Sequence, residues 1–320
     1  MNLILHINGA DYPIETAPAA TLLAVLRGLG FHGVKFGDED GLSGSDTVLL
    51  DGRPVNAGSL LAAQADGHKI ATIEALGEHP EQGWKLTEGL HPLQRAFIES
   101  GAIQCGYCTP AQILAAKSLL ERNPNPSEAE VREAISGVLC RCTGYVKPVH
   151  AVLKAAAEMR GEAPLEWDAI HWDFGTPKPE SPEGDAPVST NVMTRPKVIV
   201  TPETKTWQTV GKPEIKVDAV KLAQGKPAFA ADFEKRGLLH AKVLHSPHAH
   251  AEIRNIDVSK ARALEGVAAV LTWKDLPRVV YSTAGQSDPI PGPLDMFSLD
   301  HKVRFVGDRV AFVAAETPEI

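Results

Sequence analysis

The spacing of apolar residues changes twice along the chain. Short alternating runs, typical of strands, come first in LILHINGADYPI, TVLLDGRPV and IATIEAL, with one amphipathic helix in TLLAVLRGLGF. From about His91 to Met159, apolar residues recur every three or four positions in four segments, which predicts four short helices. Alternation returns after about Gly211 in GLLHAKVLHS, AEIRNIDV, VAAVLTW and RVAFVAAE, with a helical SKARALEG between strands. The pattern predicts an α+β multidomain chain.

Local signals support the helices and separate them from the last region. Pro110 suits the first turn of the second helix, and Ser127 with Glu130 forms a capping box that opens the third. A proline-rich stretch with scattered tryptophans follows, and it predicts an extended linker that lies against a neighbouring surface. Four segments result: 1–78, 79–160, 161–212 and 213–320.

The final TPEI pairs a natural helix cap, Thr317, with a natural first-turn residue, Pro318. The chain is therefore expected to end as a helix begins, which leaves the last domain cut or split.

Composition narrows the function classes. The formal net charge of -8 and the pI near 5.8 argue against a nucleic-acid surface, which normally shows as clustered Lys and Arg. No run approaches the roughly 18 apolar residues of a membrane span, and the first apolar run has no basic residue before it. We expect a cytoplasmic protein whose partners are small molecules or proteins, with neither nucleic acid nor membrane among them.

All four cysteines fall within one short region and indicate a single site. Cys105 and Cys108 form C-x2-C, and Cys140 and Cys142 form C-x-C, each in a glycine-containing loop between predicted helices. A disulfide or thioredoxin-like pair is an alternative, although the C-x2-C does not open a helix after a strand. Structural zinc is a stronger alternative; the tight C-x-C favours a larger, two-iron core.

The stretch HPLQRAFIESGAIQCGYCTPAQILAA, with NPNPSEAEVREAISGVLCRCTGY, closely resembles the helical 2Fe-2S domain of the molybdenum hydroxylases, the xanthine dehydrogenase and aldehyde oxidoreductase family. The resemblance implies that Cys105, Cys108, Cys140 and Cys142 ligate the 2Fe-2S cluster nearest the molybdenum. It also places Gln104 and Cys142 against the pterin of the molybdopterin cofactor. The competing interpretation is a non-enzymatic module in which the cysteines hold zinc or a purely structural cluster.

The resemblance extends to both sides of this domain. Residues 1–78 resemble a ferredoxin-like β-grasp domain, and 213–320 resemble an incomplete α/β hammerhead domain, which opens the molybdenum-binding portion of the family. In the hammerhead region His245, His248 and His250 lie close together. No carboxylate pattern accompanies these histidines, so we expect them to face solvent or an interface rather than a metal.

The first domain departs from the family at its own cluster loop. A plant-type ferredoxin holds its cluster with C-x4-C-x2-C and a distant fourth cysteine. This spacing falls on Asp38, Ser43, Asp46 and Gly58, which supply no thiolate. We expect one 2Fe-2S cluster in the chain rather than two. The acidic loop FGDEDGLSGSD then either binds a calcium-like ion through Asp38, Glu39, Asp40 and Asp46 or is a solvated loop on a retained scaffold.

The resemblance implies a division of labour between chains. The catalytic glutamate of the family and most molybdopterin contacts lie beyond Ile320, so no catalytic residue is expected here and a companion chain must supply the rest of the molybdenum domain. The chain carries no flavin segment, which implies a flavin on another subunit or an external electron acceptor. We expect an oligomeric molybdenum hydroxylase that acts on aldehydes or N-heterocycles such as purines, with this chain passing electrons outward.

Overall fold

The computed structural model describes residues 1–38, 40–78, 87–163, 214–233, 237–283 and 294–320. Nearly all of the predicted linker at 161–212 lies outside these residues. The chain forms two compact units, Met1–Asp232 and Phe233–Ile320. Among the helices of the described ranges, none combines the length and the apolar composition that a bilayer crossing needs.

The first unit begins with a five-stranded sheet and one helix. The strands are β1 (Asn2–Ile7), β2 (Ala10–Glu15), β3 (Thr47–Leu50), β4 (Arg53–Asn56) and β5 (Lys69–Ala71), in the order β2-β1-β5-β3-β4. Only β1 and β5 pair in parallel. Alternate residues of β1 are buried against α1 (Leu22–Gly28), as the sequence pattern predicts. The predicted strand IATIEAL differs, because it continues after Ala71 as a 3-10 turn.

Four helices follow, and the prediction from apolar spacing is confirmed. They are α2 (Pro92–Glu99), α3 (Thr109–Arg122), α4 (Glu128–Ser136) and α5 (Val146–Met159). Pro110 lies in the first turn of α3, and the Ser127 and Glu130 side chains form the predicted capping box of α4. The apolar faces of α2, α3 and α5 share one core.

A later segment of the chain packs onto the same core. Residues 216–232, which we name the strap, contain the short helix α6 (Ala219–Ala223) and a 3-10 turn at Ala230–Asp232. Four strap side chains, those of Ala219, Val220, Leu222 and Ala223, are buried in the core of the helices. The strap thus belongs to the first unit. The division of the chain into the segments 1–78, 79–160, 161–212 and 213–320 stays a prediction.

The second unit contains short strands in two small sheets. Its elements are β6 (His240–His245), β7 (Ala251–Glu252), α7 (Ser259–Ala263), β8 (Val267–Thr272), β9 (Lys302–Val303) and β10 (Arg309–Ala315). Strand β10 pairs antiparallel with β6 and β8, while β7 pairs with β9. The predicted strand AEIRNIDV is shorter than expected, because only its first two residues pair.

Candidate metal centre

The fold brings the four cysteines together from two loops. The C-x2-C loop joins α2 to α3, and the C-x-C loop joins α4 to α5. The Sγ atom of Cys142 lies 3.8 Å from Cys105 Sγ and 3.8 Å from Cys140 Sγ. Cys140 in turn contacts Cys108. These separations exceed the roughly 2.05 Å of a disulfide bond, and all four thiols are free, so the sulfurs form one row of available ligands.

The two ends of this row differ in environment. Cys108 is buried beside Ala111, Ala115 and Val138, whereas Cys105 and Cys142 are exposed. Burial raises the pKa of the Cys108 thiol, and the neighbouring cysteines add to the rise. A thiol in this setting is a poor free nucleophile and becomes a thiolate when a metal displaces its proton. The row therefore suits metal ligation better than thiol–disulfide chemistry.

Tyr145 shapes the C-x-C loop. The backbone N–H of Cys140 donates a 2.6 Å hydrogen bond to Tyr145 Oη, and the Tyr145 hydroxyl donates to the carbonyl oxygen of Val138. Tyr145 has a φ of 66°, a conformation that is costly for a residue other than glycine. Thr143 Oγ1 lies 3.0 Å from Cys140 Sγ. Burial acts to raise the pKa of the Cys140 thiol, but hydrogen bonds with Thr143 and neighbouring groups have the larger combined effect. The pKa of Cys140 is therefore lowered.

The C-x2-C loop is held from outside its own helices. Gly106 has a φ of 83°, and a Cβ atom there would lie 2.6 Å from Leu222 Cδ1 in the strap. The Tyr107 hydroxyl donates a 2.5 Å hydrogen bond to the carbonyl oxygen of Phe36. Neither this contact with Leu222 nor the role of Tyr145 could be predicted from the sequence. The only local signal was that a Gly-Tyr pair occurs in both loops, in QCGYC and in CTGY.

The two residues that the resemblance assigns to the pterin lie at the exposed end of the row. Gln104 is exposed next to Cys105, whose sulfur contacts that of Cys142. An exposed amide beside two exposed thiols can meet a polar group brought by another domain or chain. The contact of Gln104 and Cys142 with the pterin of the molybdopterin cofactor stays a prediction.

The acidic loop is folded into its own hydrogen-bond network. The Asp38 carboxylate accepts N–H groups of Leu42 and Ser43 at 2.9 and 2.6 Å, and Asp46 Oδ2 accepts the N–H of Gly58 at 2.5 Å. A Cβ atom on Gly58 would lie 2.9 Å from Asp46 Oδ2 and 3.8 Å from the Asp38 carbonyl oxygen. The four positions that the ferredoxin spacing assigns, Asp38, Ser43, Asp46 and Gly58, thus lie close to one another.

The side chains at these positions do not fit a second cluster. Carboxylate and hydroxyl oxygens are hard ligands, whereas the iron atoms of a cluster are held by soft thiolates, and glycine has no ligand at all. For the calcium alternative, Glu39 lies outside the described residues and the Asp38 carboxylate already accepts two backbone N–H groups. Among the described residues of this loop, Asp38, Asp40 and Asp46 do not form a group that could hold a metal ion.

Among the described contacts, none joins the histidines of HSPHAHA to one another. His245 Nδ1 lies 2.7 Å from the carbonyl oxygen of Gly307, and the His248 N–H donates to Ser246 Oγ. His245, His248 and His250 are all exposed. Their exposure matches the expectation from sequence that they face solvent or an interface.

Two family models match the chain. Residues 72–153 match a [2Fe-2S] binding domain, and 224–320 match the a/b hammerhead domain of aldehyde oxidase and xanthine dehydrogenase. The first match contains all four cysteines, which favours a cluster over zinc.

Curated relatives fall into two groups. A probable hypoxanthine oxidase of Escherichia coli strain K12 is 33% identical over 99% of this chain, but the match covers only 30% of that relative. The nicotinate dehydrogenase small FeS subunit of Eubacterium barkeri is 44% identical over 48% of this chain and 93% of that relative. The chain therefore spans about a third of the length of the hypoxanthine oxidase relative. About half of the chain matches nearly the whole length of the small FeS subunit.

Solved structures show the same relationship. The aldehyde oxidoreductase of Desulfovibrio gigas superimposes with a TM-score of 0.71 at 30% identity, over 100% of this chain and 32% of that chain. The enzyme of Desulfovibrio desulfuricans gives a TM-score of 0.72 at 30% identity. A mixed α/β fold with a 2Fe-2S domain and a hammerhead domain is thus common to these proteins and to this chain.

Proposed function

Because the chain belongs to the molybdenum hydroxylase family, we propose that it is the iron–sulfur electron-transfer part of such an enzyme. The observation that carries the proposal is the row of thiols that two separate helix-to-helix loops bring together. Cys105, Cys108, Cys140 and Cys142 would hold one 2Fe-2S cluster. A bound cluster of this kind accepts and releases one electron at a time.

The residues around the row of cysteines would determine which end water can reach and in which direction electrons pass. The apolar surroundings of Cys108, Ala111 and Val138 exclude water from one side of the ligand set. The opposite end, with Cys105 and Cys142, is open. Gln104 and Cys142 would contact the pterin of a molybdopterin cofactor at this open end. Electrons from the molybdopterin site would therefore reach the cluster at its exposed end, next to Cys105 and Cys142. They would then pass from the cluster to the electron acceptor.

The rest of the enzyme would come from other chains or segments. We propose a companion carrying the remaining molybdenum-binding domain, and either a flavin subunit or an external electron acceptor, in a cytoplasmic oligomer. Two relatives, one named as a small FeS subunit and one as a small subunit, support the idea of companion chains. The substrate class would be aldehydes or N-heterocycles such as purines, as the names of the relatives suggest.

The domain organisation is part of the same proposal. Residues 1–78 would be a ferredoxin-like domain without its own cluster, and 79–160 the helical 2Fe-2S domain. Residues 161–212 would be the linker, and 213–320 the hammerhead domain. The five-stranded sheet with one helix and the four-helix unit support the first two assignments.

Anaerobic purification of the full chain, followed by iron, sulfide and zinc analysis and EPR spectroscopy after reduction by dithionite, tests the proposal. We expect a coloured protein with one 2Fe-2S cluster per chain and a single EPR species. Cys140→Ser should abolish the signal, while the matched control Ser136→Ala, at the exposed end of α4, should keep it. A colourless, EPR-silent protein that contains zinc would contradict the proposal.

A further inference from the structure

The strap touches the C-x2-C loop at two successive residues. Leu222 fills the space where Gly106 lacks a side chain, and the Phe229 ring meets the Tyr107 ring edge-on, with centroids 5.0 Å apart. Leu222 itself is anchored in the core of the helices. Both contacts fall between the ligands Cys105 and Cys108, so a movement of the strap would be transmitted directly to this loop.

A buried group of charges fixes the end of the strap. Asp232 Oδ2 lies 2.7 Å from Lys35 Nζ, and Asp232 Oδ1 lies 3.1 Å from Arg27 Nη2. The side chains of Lys35 and Asp232 are only 2% and 1% exposed. Burial would raise the pKa of Asp232, but hydrogen bonds, first that of Lys35, lower this pKa to about 2. A buried charge left without its partner is strongly destabilising, so these groups hold one another firmly in place.

The same carboxylate sets the position of Phe229. Asp232 Oδ2 accepts the backbone N–H groups of Ala228 and Phe229, each at 3.1 Å. Lys35 Nζ also lies 4.8 Å from the centroid of the Phe229 ring, a cation–π distance. The ring is thus held by its own backbone and by a cation on its face, while its edge contact is with Tyr107.

Other contacts hold the beginning of the strap. Gln94 Nε2 donates a 2.9 Å hydrogen bond to the carbonyl oxygen of Ala223. Cβ atoms on Gly225 and on Gly33 would lie 2.3 and 2.1 Å from Cγ2 of Ile73, so both glycine backbones pack closely against this one side chain. The strap therefore joins the ferredoxin-like sheet, the helices and the cluster loop at one place.

We infer that the strap is a positioning element for the cluster: the Asp232, Lys35 and Arg27 charges fix Phe229 and Leu222 against Tyr107 and Gly106, and so hold the C-x2-C loop in its ligating conformation. This inference rests on the proposed function. Residues 224–320 match the hammerhead model, so the start of that region, rather than the 2Fe-2S domain alone, completes the support of the cluster.

Two variants of the full chain test the inference from different sides. Asp232→Asn removes the charge that holds the end of the strap, and Phe229→Leu keeps all three charges but removes the ring beside Tyr107. Both should release iron to a chelator at least several-fold faster than the unaltered chain and shift the EPR and visible circular dichroism spectra. The matched control is Glu99→Gln, which breaks the 2.8 Å pair of Glu99 with Lys154 elsewhere in the helical region. It should change neither readout.

The outcomes separate this inference from the proposed function. If the unaltered chain binds a cluster and both variants keep its release rate and spectra, the inference is wrong and the proposed function stands. If the unaltered chain binds no cluster, both fail. Should Asp232→Asn not fold, Phe229→Leu decides alone: an unchanged release rate overturns the inference, and faster release with an altered spectrum supports it.

Discussion

The carbonyl oxygen of Ser43 accepts a 2.8 Å hydrogen bond from the backbone N–H of Leu139, the residue before Cys140. Next to it, Gly44 lies so close to Gly137 that a Cβ atom would come within 2.0 Å of the Gly137 carbonyl oxygen. The acidic loop, which contains no cysteine, therefore supports the C-x-C loop.

Gly44→Ala should weaken this support and lower the iron content. The residue has a φ of 65°, so alanine costs roughly 1 kcal/mol in the backbone, and the contact with Gly137 adds about 1–3 kcal/mol of overpacking. Denaturant unfolding and iron analysis check the prediction. Gly52→Ala is the matched control, because Gly52 has a φ of 78° and nothing within 4 Å of its Cβ position. If Gly44→Ala and Gly52→Ala lose the same stability and the same amount of iron, the contact of Gly44 with Gly137 has no specific role.

Cysteines placed together at Asp38, Ser43, Asp46 and Gly58 should restore a second cluster. The Gly58 Cβ position lies 2.9 Å from Asp46 Oδ2, and the acid that it would meet is itself replaced in this variant. We expect the iron content to double and a second EPR species to appear. The matched variant keeps Gly58 and changes the other three positions; it should not gain a complete cluster. A fourfold variant with no additional iron would show that the loop has lost the ferredoxin geometry.

Asp46→Asn should stabilise the chain at neutral pH. Burial raises the pKa of Asp46, and its Oδ1 atom finds no hydrogen-bond partner among the described residues. The folded state therefore binds the proton more tightly than the unfolded state, so the stability of the unaltered chain falls as pH rises above 3.8, the ordinary pKa of the group. The variant keeps an oxygen for the Gly58 N–H. We expect a gain of about 1 kcal/mol in the free energy of unfolding, measured in urea at pH 7.

Asp38→Asn in the same loop should have the opposite effect and serves as the matched control for Asp46→Asn. Hydrogen bonds from Ser43 and Leu42 lower the pKa of Asp38 to about 2. Its contribution to stability is present above pH 3.8 and is lost as pH falls toward 2. The variant should therefore be less stable than the unaltered chain at pH 7. If both variants are more stable than the unaltered chain at pH 7, the pKa values of Asp38 and Asp46 are not shifted in opposite directions.

Tyr145→Phe should loosen the C-x-C loop, because it removes the acceptor of the Cys140 N–H. The loss of this bond is expected to cost about 1 kcal/mol and to quicken iron release. Tyr12→Phe, in β2 of the first sheet, is the control. Iron release to a chelator and the reduction potential of the cluster are the measurements. A variant that matches the unaltered chain in both would show that the hydroxyl has no part in holding the loop.

Much of the local structure could be predicted from sequence because its causes are local. The four helices follow from apolar residues spaced three and four apart, and the start of α4 follows from Ser127 and Glu130 within one turn. Strand lengths were less predictable. AEIRNIDV alternates in sequence, yet only Ala251 and Glu252 find a partner strand, and pairing depends on distant residues.

The sequence by itself determined the candidate ligand set: two cysteine pairs in helix-to-helix loops, and an acidic loop without a cysteine. These properties depend on residue identity and on short spacing. The tertiary structure alone decided how the cysteine loops are supported. Lys35 and Asp232 are 197 positions apart, and the contacts of Ser43 with Leu139 and of Leu222 with Gly106 also join residues that are distant in sequence. Such contacts follow from the packing of whole elements, and the sequence between the partners carries no local signal for them.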